Sequence, residues 1–349
     1  MQLSRRLAIT TLPLLLLAAA CGSDSEGTSS EPSDGGTTTE AESLTLYTGR
    51  DEELVGPLVE QFTEETGIEV EVRYGNSAEM GAQLLEEGDS TPADVFYSQE
   101  VGAVGVLEQA DLLADLPQET IDLVDAKYAP REGTKWVGVT GRSRVIAYNP
   151  DLVDVVPEGV EDLVDEQYAG QIAIAPSNAS FQSFVTAFRV SQGDDAAREW
   201  LEGIIANDPE IYESNDDILQ AVNNGDIGIG LINHYYWARS IPELGDELVA
   251  ELVFPKGEDP GGLVNATAVA ITNGGADNPA SQELVDYLLS EAGQTYFVTE
   301  TYEYPLVEGI AMPEGVPALD ELEGPDIDLT DLESLEETQA LLTELGLLS

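Results

Sequence analysis

Tyr235 and Tyr236 are adjacent, inside the run Gly230-Leu231-Ile232-Asn233-His234-Tyr235-Tyr236-Trp237. The strand-like segment 226–232 ends there, so both phenols fall in a loop or in the first turn of the next helix. A helix start carries unpaired N–H groups and a partial positive charge, which favour an ionised phenolate. Two hard oxygen anions converging on one point suit a hard, highly charged cation such as Fe(III) better than a soft one. The same residues have a plainer use, since aromatic clusters at strand ends also pack a core or stack on an organic ligand. From this run alone, all three uses stay open.

Cations are scarce elsewhere, and their positions are informative. No Lys or Arg follows Lys256, and Arg50, Arg142, Arg144 and Arg239 all lie beside loops that the element pattern brings to one edge. Arginine grips planar oxyanions through paired N–H groups, although each of these could also offset nearby acid. The loop Pro176-Ser177-Asn178-Ala179, leading into a helix from Ser180, has the small residues of an oxyanion nest; an ordinary Ser/Asn helix cap reads the same way.

Those groups need a scaffold, and the hydrophobic pattern predicts an α/β one. Residues 43–47 alternate as a strand, and 52–66 form an amphipathic helix with Leu54, Leu58, Val59 and Phe62 on one face, stopped by Gly67. Residues 68–74 alternate again, a helix follows over 77–87, and 93–97 read as a buried strand. Repetition of this unit predicts a mainly parallel sheet with helices on both faces, whose ligand-binding edge holds the loops at 48–51 and 98–100. A long strand over 141–150 and a second over 261–271 cross between two such lobes, giving a clamshell with its ligand in the cleft. The expected segments are 43–142 plus 265–316 for the first lobe and 143–264 plus 317–349 for the second. His234, the single histidine, lies in an alternating segment and is expected to point away from the cleft as a surface or packing residue.

The N-terminus sets the compartment. Arg5 and Arg6 precede an apolar stretch too short to span a bilayer comfortably, so 1–20 read as an export signal. It ends Leu17-Ala18-Ala19-Ala20-Cys21, which looks like a lipobox, and Cys21 is the only cysteine. Residues 21–42 are then a lipidated cysteine and a Ser/Thr/Gly/acid-rich tether that cannot bury a core. The expected product is a monomer on the outer face of the cytoplasmic membrane, touching it only through the N-terminal lipid anchor. With 68 acidic against 13 basic residues and a net charge of −55, binding to nucleic acid through a basic face is excluded. Charge this extreme suits a saline or alkaline setting.

Taken together, the segments resemble the periplasmic ferric iron-binding proteins of ABC iron importers, within the type II periplasmic binding proteins. The matching pieces are Leu46-Tyr47-Thr48-Gly49, Thr66-Gly67-Ile68, Glu86-Glu87-Gly88-Asp89, Thr91-Pro92-Ala93-Asp94-Val95-Phe96-Tyr97 and Gly141-Arg142-Ser143-Arg144-Val145. Further on come Asn215 before Leu219-Gln220-Ala221-Val222, Ile232-Asn233 before the tyrosine pair, Asp259-Pro260-Gly261 and Glu303-Tyr304-Pro305-Leu306. The resemblance implies Fe(III) as cargo, Tyr235 and Tyr236 as its ligands, and an ABC-transporter permease as partner. It also implies a synergistic anion, carbonate or phosphate, at Arg142, Ser177, Asn178, Ala179, Asn215 and Asn233. The first-lobe histidine and glutamate of well-known members fall on Asp51 and Gln99 here. Asp51 offers a hard oxygen, Gln99 is a poorer ligand, and Glu100 beside it would substitute only if the loop shifts. A third or fourth tyrosine, used by some members, is not matched near the nest, where Phe181 stands.

Two other functions compete. One is a binding protein for a small anion or organic solute in the same cleft. The other is an extracellular hydrolase working through carboxylates alone, since no nucleophile elbow or His-Glu-x-x-His motif occurs.

Overall fold

The computed structural model describes residues 43–348; the expected export signal, Cys21 and the tether lie outside the described residues. Among those described, no helix is long and apolar enough to cross a membrane. The first segment runs β1 (Ser43–Thr48), α1 (Glu52–Thr66), β2 (Glu69–Tyr74), α2 (Ser77–Glu87), β3 (Val95–Ser98), α3 (Val101–Gln109) and the short α4 (Gln118–Ile121). The long β4 (Val137–Tyr148) leads to β5 (Ile172–Ile174), α5 (Ala179–Gln192), α6 (Asp194–Ala206), β6 (Glu210–Ile211), α7 (Asn215–Asn224), β7 (Ile229–Asn233), α8 (His234–Leu244) and β8 (Glu251–Val253). The chain returns through β9 (Val264–Ile271), α9 (Pro279–Leu288), α10 (Glu291–Tyr296) and β10 (Tyr304–Pro305), and ends in α11 (Leu335–Glu344).

Local sequence explains most of these boundaries. Helix α1 buries Val55, Leu58, Val59 and Phe62, with Leu54 at the edge of that face. It stops where Gly67 takes a left-handed φ of 78° and its N–H returns to Thr63 O, a conformation that costs glycine little. Strand β3 begins later than its apolar run because the Asp94 side chain accepts from Thr45 N–H at 2.7 Å, taking over a bond the ladder would have made.

The strand order is β2-β1-β3-β9-β4-β7-β5-β6, with β8 and β10 also pairing β4. Pairing is parallel in β2-β1-β3 and in β7-β5-β6, and antiparallel wherever β4 or β9 takes part. Strand β4 changes neighbours midway. Its first half pairs β9 and β10 up to Ser143, and from Arg144 it pairs β7, with Arg144 opposite Asn233. Arg142 and Arg144 therefore flank the crossover, and their i, i+2 spacing puts both side chains on one face.

Each half of β4 enters its own core. Trp136, Val137 and Val139 join the cluster that β1, β3, β9 and α1 share. Beyond the crossover, residues alternate between two clusters. Ile146, Ile172, Ile174, Ile229 and Leu231 pack with the Phe184 and Trp200 side of α5 and α6. Val145, Ala147, Ala173 and Ile232 pack with Ile218 and Val222 of α7 on the other face. The C-terminal segment divides between the lobes, Leu329 and Leu332 in the first core and Leu341 and Leu342 in the second. The result is the two-lobed α/β clamshell with two central crossing strands.

Candidate functional site

The starts of three second-lobe helices meet at one buried side chain, Arg144. Its Nη1 donates to Ser180 Oγ at 3.1 Å, Asn233 Oδ1 at 3.3 Å and Asn215 Oδ1 at 3.4 Å, and its Nη2 to Leu231 O at 3.1 Å. Ser180 is in the first turn of α5, Asn215 opens α7 and Asn233 precedes α8. Asn233 is the N-cap of α8 yet makes no side-chain cap bond, because its oxygen is turned to Arg144. The guanidinium also lies 5.7 Å from the rings of Phe181 and Phe184, a favourable cation–π arrangement. Among the described residues no carboxylate is within ion-pair distance of Arg144, and its Nε is buried without a partner. Burial pushes its pKa down to about 10, against the opposing charges of Tyr235, Tyr236 and Glu100. A buried cation among three helix N-termini is an unneutralised positive centre, which an anion would relieve.

The phenols stand beside it. Tyr235 and Tyr236 are the second and third residues of α8, and their rings stack at 4.4 Å with 29° between planes. Tyr235 is buried and Tyr236 half-buried. Burial pushes the Tyr236 phenol up, helped by Tyr235, Asp216 and Asp51. The guanidinium of Arg239 lies 5.2 Å from the Tyr236 ring while pairing bidentately with Asp216 at 2.8 and 2.9 Å. Asp51 is an exposed first-lobe carboxylate whose charge adds to the upward push on Tyr236.

The remaining first-lobe candidates turn elsewhere. Gln99 accepts from Arg142 through its carbonyl, and its N–H donates to Ser77 Oγ at 2.9 Å. Glu100 is buried: Oε2 accepts from Asn265 at 2.5 Å, and Oε1 lies 3.4 Å from Arg142 Nη2. Arg142 Nε is in turn 4.0 Å from Glu303, whose other oxygen holds Arg50 at 2.7 Å. Glu100, Arg142, Glu303 and Arg50 thus form one buried line of alternating charge. Burial alone would lower the Arg50 pKa, but Glu303 carries it upward.

The structure regroups the residues expected at the anion site. Asn215 and Asn233 contact Arg144, not Arg142. Helix α5 starts at Ala179, one residue earlier than expected, with Asn178 as its cap accepting from Ser180 N–H at 3.0 Å. Ser180, absent from the expected set, is the α5 residue that reaches Arg144, whereas Ser177 is exposed. Period-two spacing from Arg142 already put Arg144 on the same face, and that signal was available.

His234 is no surface residue. It is fully buried and stacks on Tyr304 at 4.4 Å and 22°. Ser143 N–H donates to Nδ1 at 3.2 Å, so Nε2 carries the proton and donates to Tyr302 O at 3.1 Å. Burial pushes its pKa down to about 3. The expected packing role holds; it is a neutral strut joining α8 to the crossing strand and to the first-lobe segment at Tyr302, a residue with left-handed φ of 58°.

Two α/β lobes on crossing strands, with polar groups of both gathered at the crossover, define a type II periplasmic binding protein. The chain belongs to the bacterial extracellular solute-binding protein family, which it matches over residues 90–323. It is 32% identical over 309 residues to a Fe(3+)-binding periplasmic protein of Serratia marcescens, covering 87% of this chain and 90% of that one. It is also 32% identical to the major ferric iron-binding protein of Neisseria meningitidis serogroup B, covering 87% and 93% of the two chains. Iron-bound HitA from Pseudomonas aeruginosa superposes with a TM-score of 0.81 at 33% identity, covering 87% of this chain and 99% of HitA. The Serratia and Neisseria relatives are named as binding proteins, not enzymes.

Proposed function

We propose that this protein captures ferric iron between its lobes through Tyr235 and Tyr236 and delivers it to an ABC importer. The observation that carries the reading is the phenol pair in the first turn of α8, beside the carboxylate-free cation Arg144. Among the described residues, no group of three or more His, Cys, Asp or Glu is arranged to hold a metal. Phenolates are therefore the hard donors this cleft offers in number, and Fe(III) is the cation they suit. The names of the Serratia and Neisseria relatives support the same cargo.

Each ligating phenol must lose its proton, so uptake releases protons and weakens in acid. From the first lobe, Asp51 supplies a further oxygen on closure. Gln99 and Glu100 would need the 98–100 loop to shift. A synergistic oxyanion, carbonate or phosphate, completes the coordination, held by the start of α5 at Asn178 and Ala179 and by Arg144 with Asn215 and Asn233. Arg142 lies at the rim of that site. The body is tethered through lipidated Cys21 outside the cytoplasmic membrane, and the closed form docks on the permease as a monomer.

Chelator-stripped protein is titrated with ferric citrate while the tyrosinate-to-iron charge-transfer band is followed. One iron per chain, with the band lost in Tyr236→Phe, is the expected outcome. A colourless protein that still binds a small anion would instead establish the second reading, an anion carrier built on Arg144.

A further inference from the structure

The two arginines at the β4 crossover are in opposite electrostatic states. Arg144 is carboxylate-free among the described residues. Arg142, two residues away on the same face, already has Glu100 at 3.4 Å and Glu303 at 4.0 Å. Both arginines, with Glu100, Ser180, Asn233 and Asn265, line a single cavity. An oxyanion bridging the two arginines would meet a carboxylate already in place on Arg142.

Glu100 is held there by design of the local backbone. It is the N-cap of α3, but its side chain does not cap that helix. Ser98 does the local work, accepting from Glu100 N–H at 3.1 Å and donating to its carbonyl at 2.7 Å. The carboxylate is thereby free to reach the crossover. Asn265 of β9 fixes it, donating to Glu100 Oε2 at 2.5 Å and to Ser183 Oγ of α5 at 2.6 Å. The carboxylate is thus tied to the helix whose start forms the oxyanion nest. Its Oε1 is buried with no hydrogen-bond partner and points into the Arg142 side of the cavity.

We propose that Glu100 is the resident counter-anion of Arg142 and that, by occupying this arginine, it selects which anion accompanies the metal. An exogenous anion then finds only the Arg144, Ser180 and Asn233 side free. A compact planar anion of low charge, such as bicarbonate, is accepted there. Phosphate and citrate, more highly charged, are disfavoured because Glu100 repels them and already holds Arg142. Glu100 is a specificity-determining residue in this reading, which rests on the proposed tyrosine and anion site.

The test compares full mature wild-type protein with Glu100→Gln, and with Glu100→Asp, which keeps the charge but shortens its reach. Ferric iron is supplied with bicarbonate, phosphate or citrate as the sole anion, and band saturation is measured for each. Binding of bicarbonate and phosphate to metal-free protein is measured in parallel by calorimetry. Wild type should prefer bicarbonate. Glu100→Gln should improve phosphate relative to bicarbonate by about tenfold or more, the scale of one charge-assisted hydrogen bond regained, with Glu100→Asp in between. An anion preference identical in wild type and Glu100→Gln overturns the role of Glu100 while leaving the tyrosine site standing. No band with any anion removes the tyrosine reading instead, and calorimetry on the metal-free proteins still decides Glu100 by the same ratio.

Discussion

Tyr235 and Tyr236, neighbours in sequence, stack ring on ring at 4.4 Å at the start of α8. Residues one apart on a helix point about 100° apart, so their stacking is not what helix geometry alone provides. The buried Tyr235 is held edge-on against His234, with ring centroids 5.9 Å apart at 87°, and Tyr236 lies between it and Arg239. The packing of His234 and Arg239 thus holds the two rings against each other.

Proton release follows from that arrangement. Tyr236 is pushed up by burial first and then by Tyr235, Asp216 and Asp51, so it is neutral in the metal-free protein at neutral pH. Iron binding should release about two protons from the phenol pair, read with a pH indicator in weakly buffered solution using an iron source of known protonation. Tyr236→Phe should release about one fewer. Equal release by the two proteins would show that Tyr236 is not a ligand.

His234 makes stability fall in mild acid. Its folded pKa is depressed to about 3 by burial, against about 6.5 in the unfolded chain. Above pH 6.5 both states are neutral and its contribution is fully present. As pH falls, the unfolded state takes a proton that the folded state refuses, so stability drops progressively between about 6.5 and 3. Urea unfolding across that window should show a shallower decline for His234→Gln than for wild type. Parallel declines would remove His234 as the cause.

Glu303 joins two buried arginines, at 2.7 Å to Arg50 and 4.0 Å to Arg142. Its side chain is 1% exposed and that of Arg50 is 0%, so solvent cannot replace the lost partner. Glu303→Gln should cost about 3–5 kcal/mol in chemical denaturation, the usual consequence of leaving a buried charge uncompensated. A loss below about 1 kcal/mol, the level of an exposed pair, would mean that water reaches this site.

Gly49 allows the loop carrying Arg50 and Asp51 to pack on α2. A Cβ at this position would lie 1.8 Å from Ser77 Oγ and 2.7 Å from Ser77 Cα. The Ser77 hydroxyl also accepts from Gln99 N–H, so it is not free to turn away without loss. Gly49→Ala should destabilise by about 1–3 kcal/mol and weaken iron binding by displacing Asp51. The paired Gly49→Ala, Ser77→Ala variant should recover part of the stability. Failure to recover any would place the strain in the backbone.

Much of the fold could be read along the chain because its causes are local. Helix α1 declares itself through Leu58, Val59 and Phe62 and a glycine stop, and β3 through an apolar run. Alternation in 145–148 points successive residues to opposite faces, and the structure fills both faces with separate clusters. The tyrosine pair was legible for the same reason, since two phenols at a strand-to-helix junction are a local pattern. Arg142 and Arg144 were equally visible, but their partners were not. Glu303 lies 253 residues from Arg50 in sequence, and no periodicity connects them.

Sequence by itself determined the α/β architecture, the position of the phenols just past a strand end, and a charge balance that leaves no basic face for nucleic acid. These follow from side-chain period, capping chemistry and composition, which act over a few residues or over the whole chain at once. Only the tertiary structure decided which arginine is neutralised. The crossover of β4 brings Glu100 and Glu303 to Arg142 and surrounds Arg144 with neutral groups from three helices. Charge pairing in a buried site depends on distances of a few ångströms between distant segments, and those distances exist only once the chain has folded.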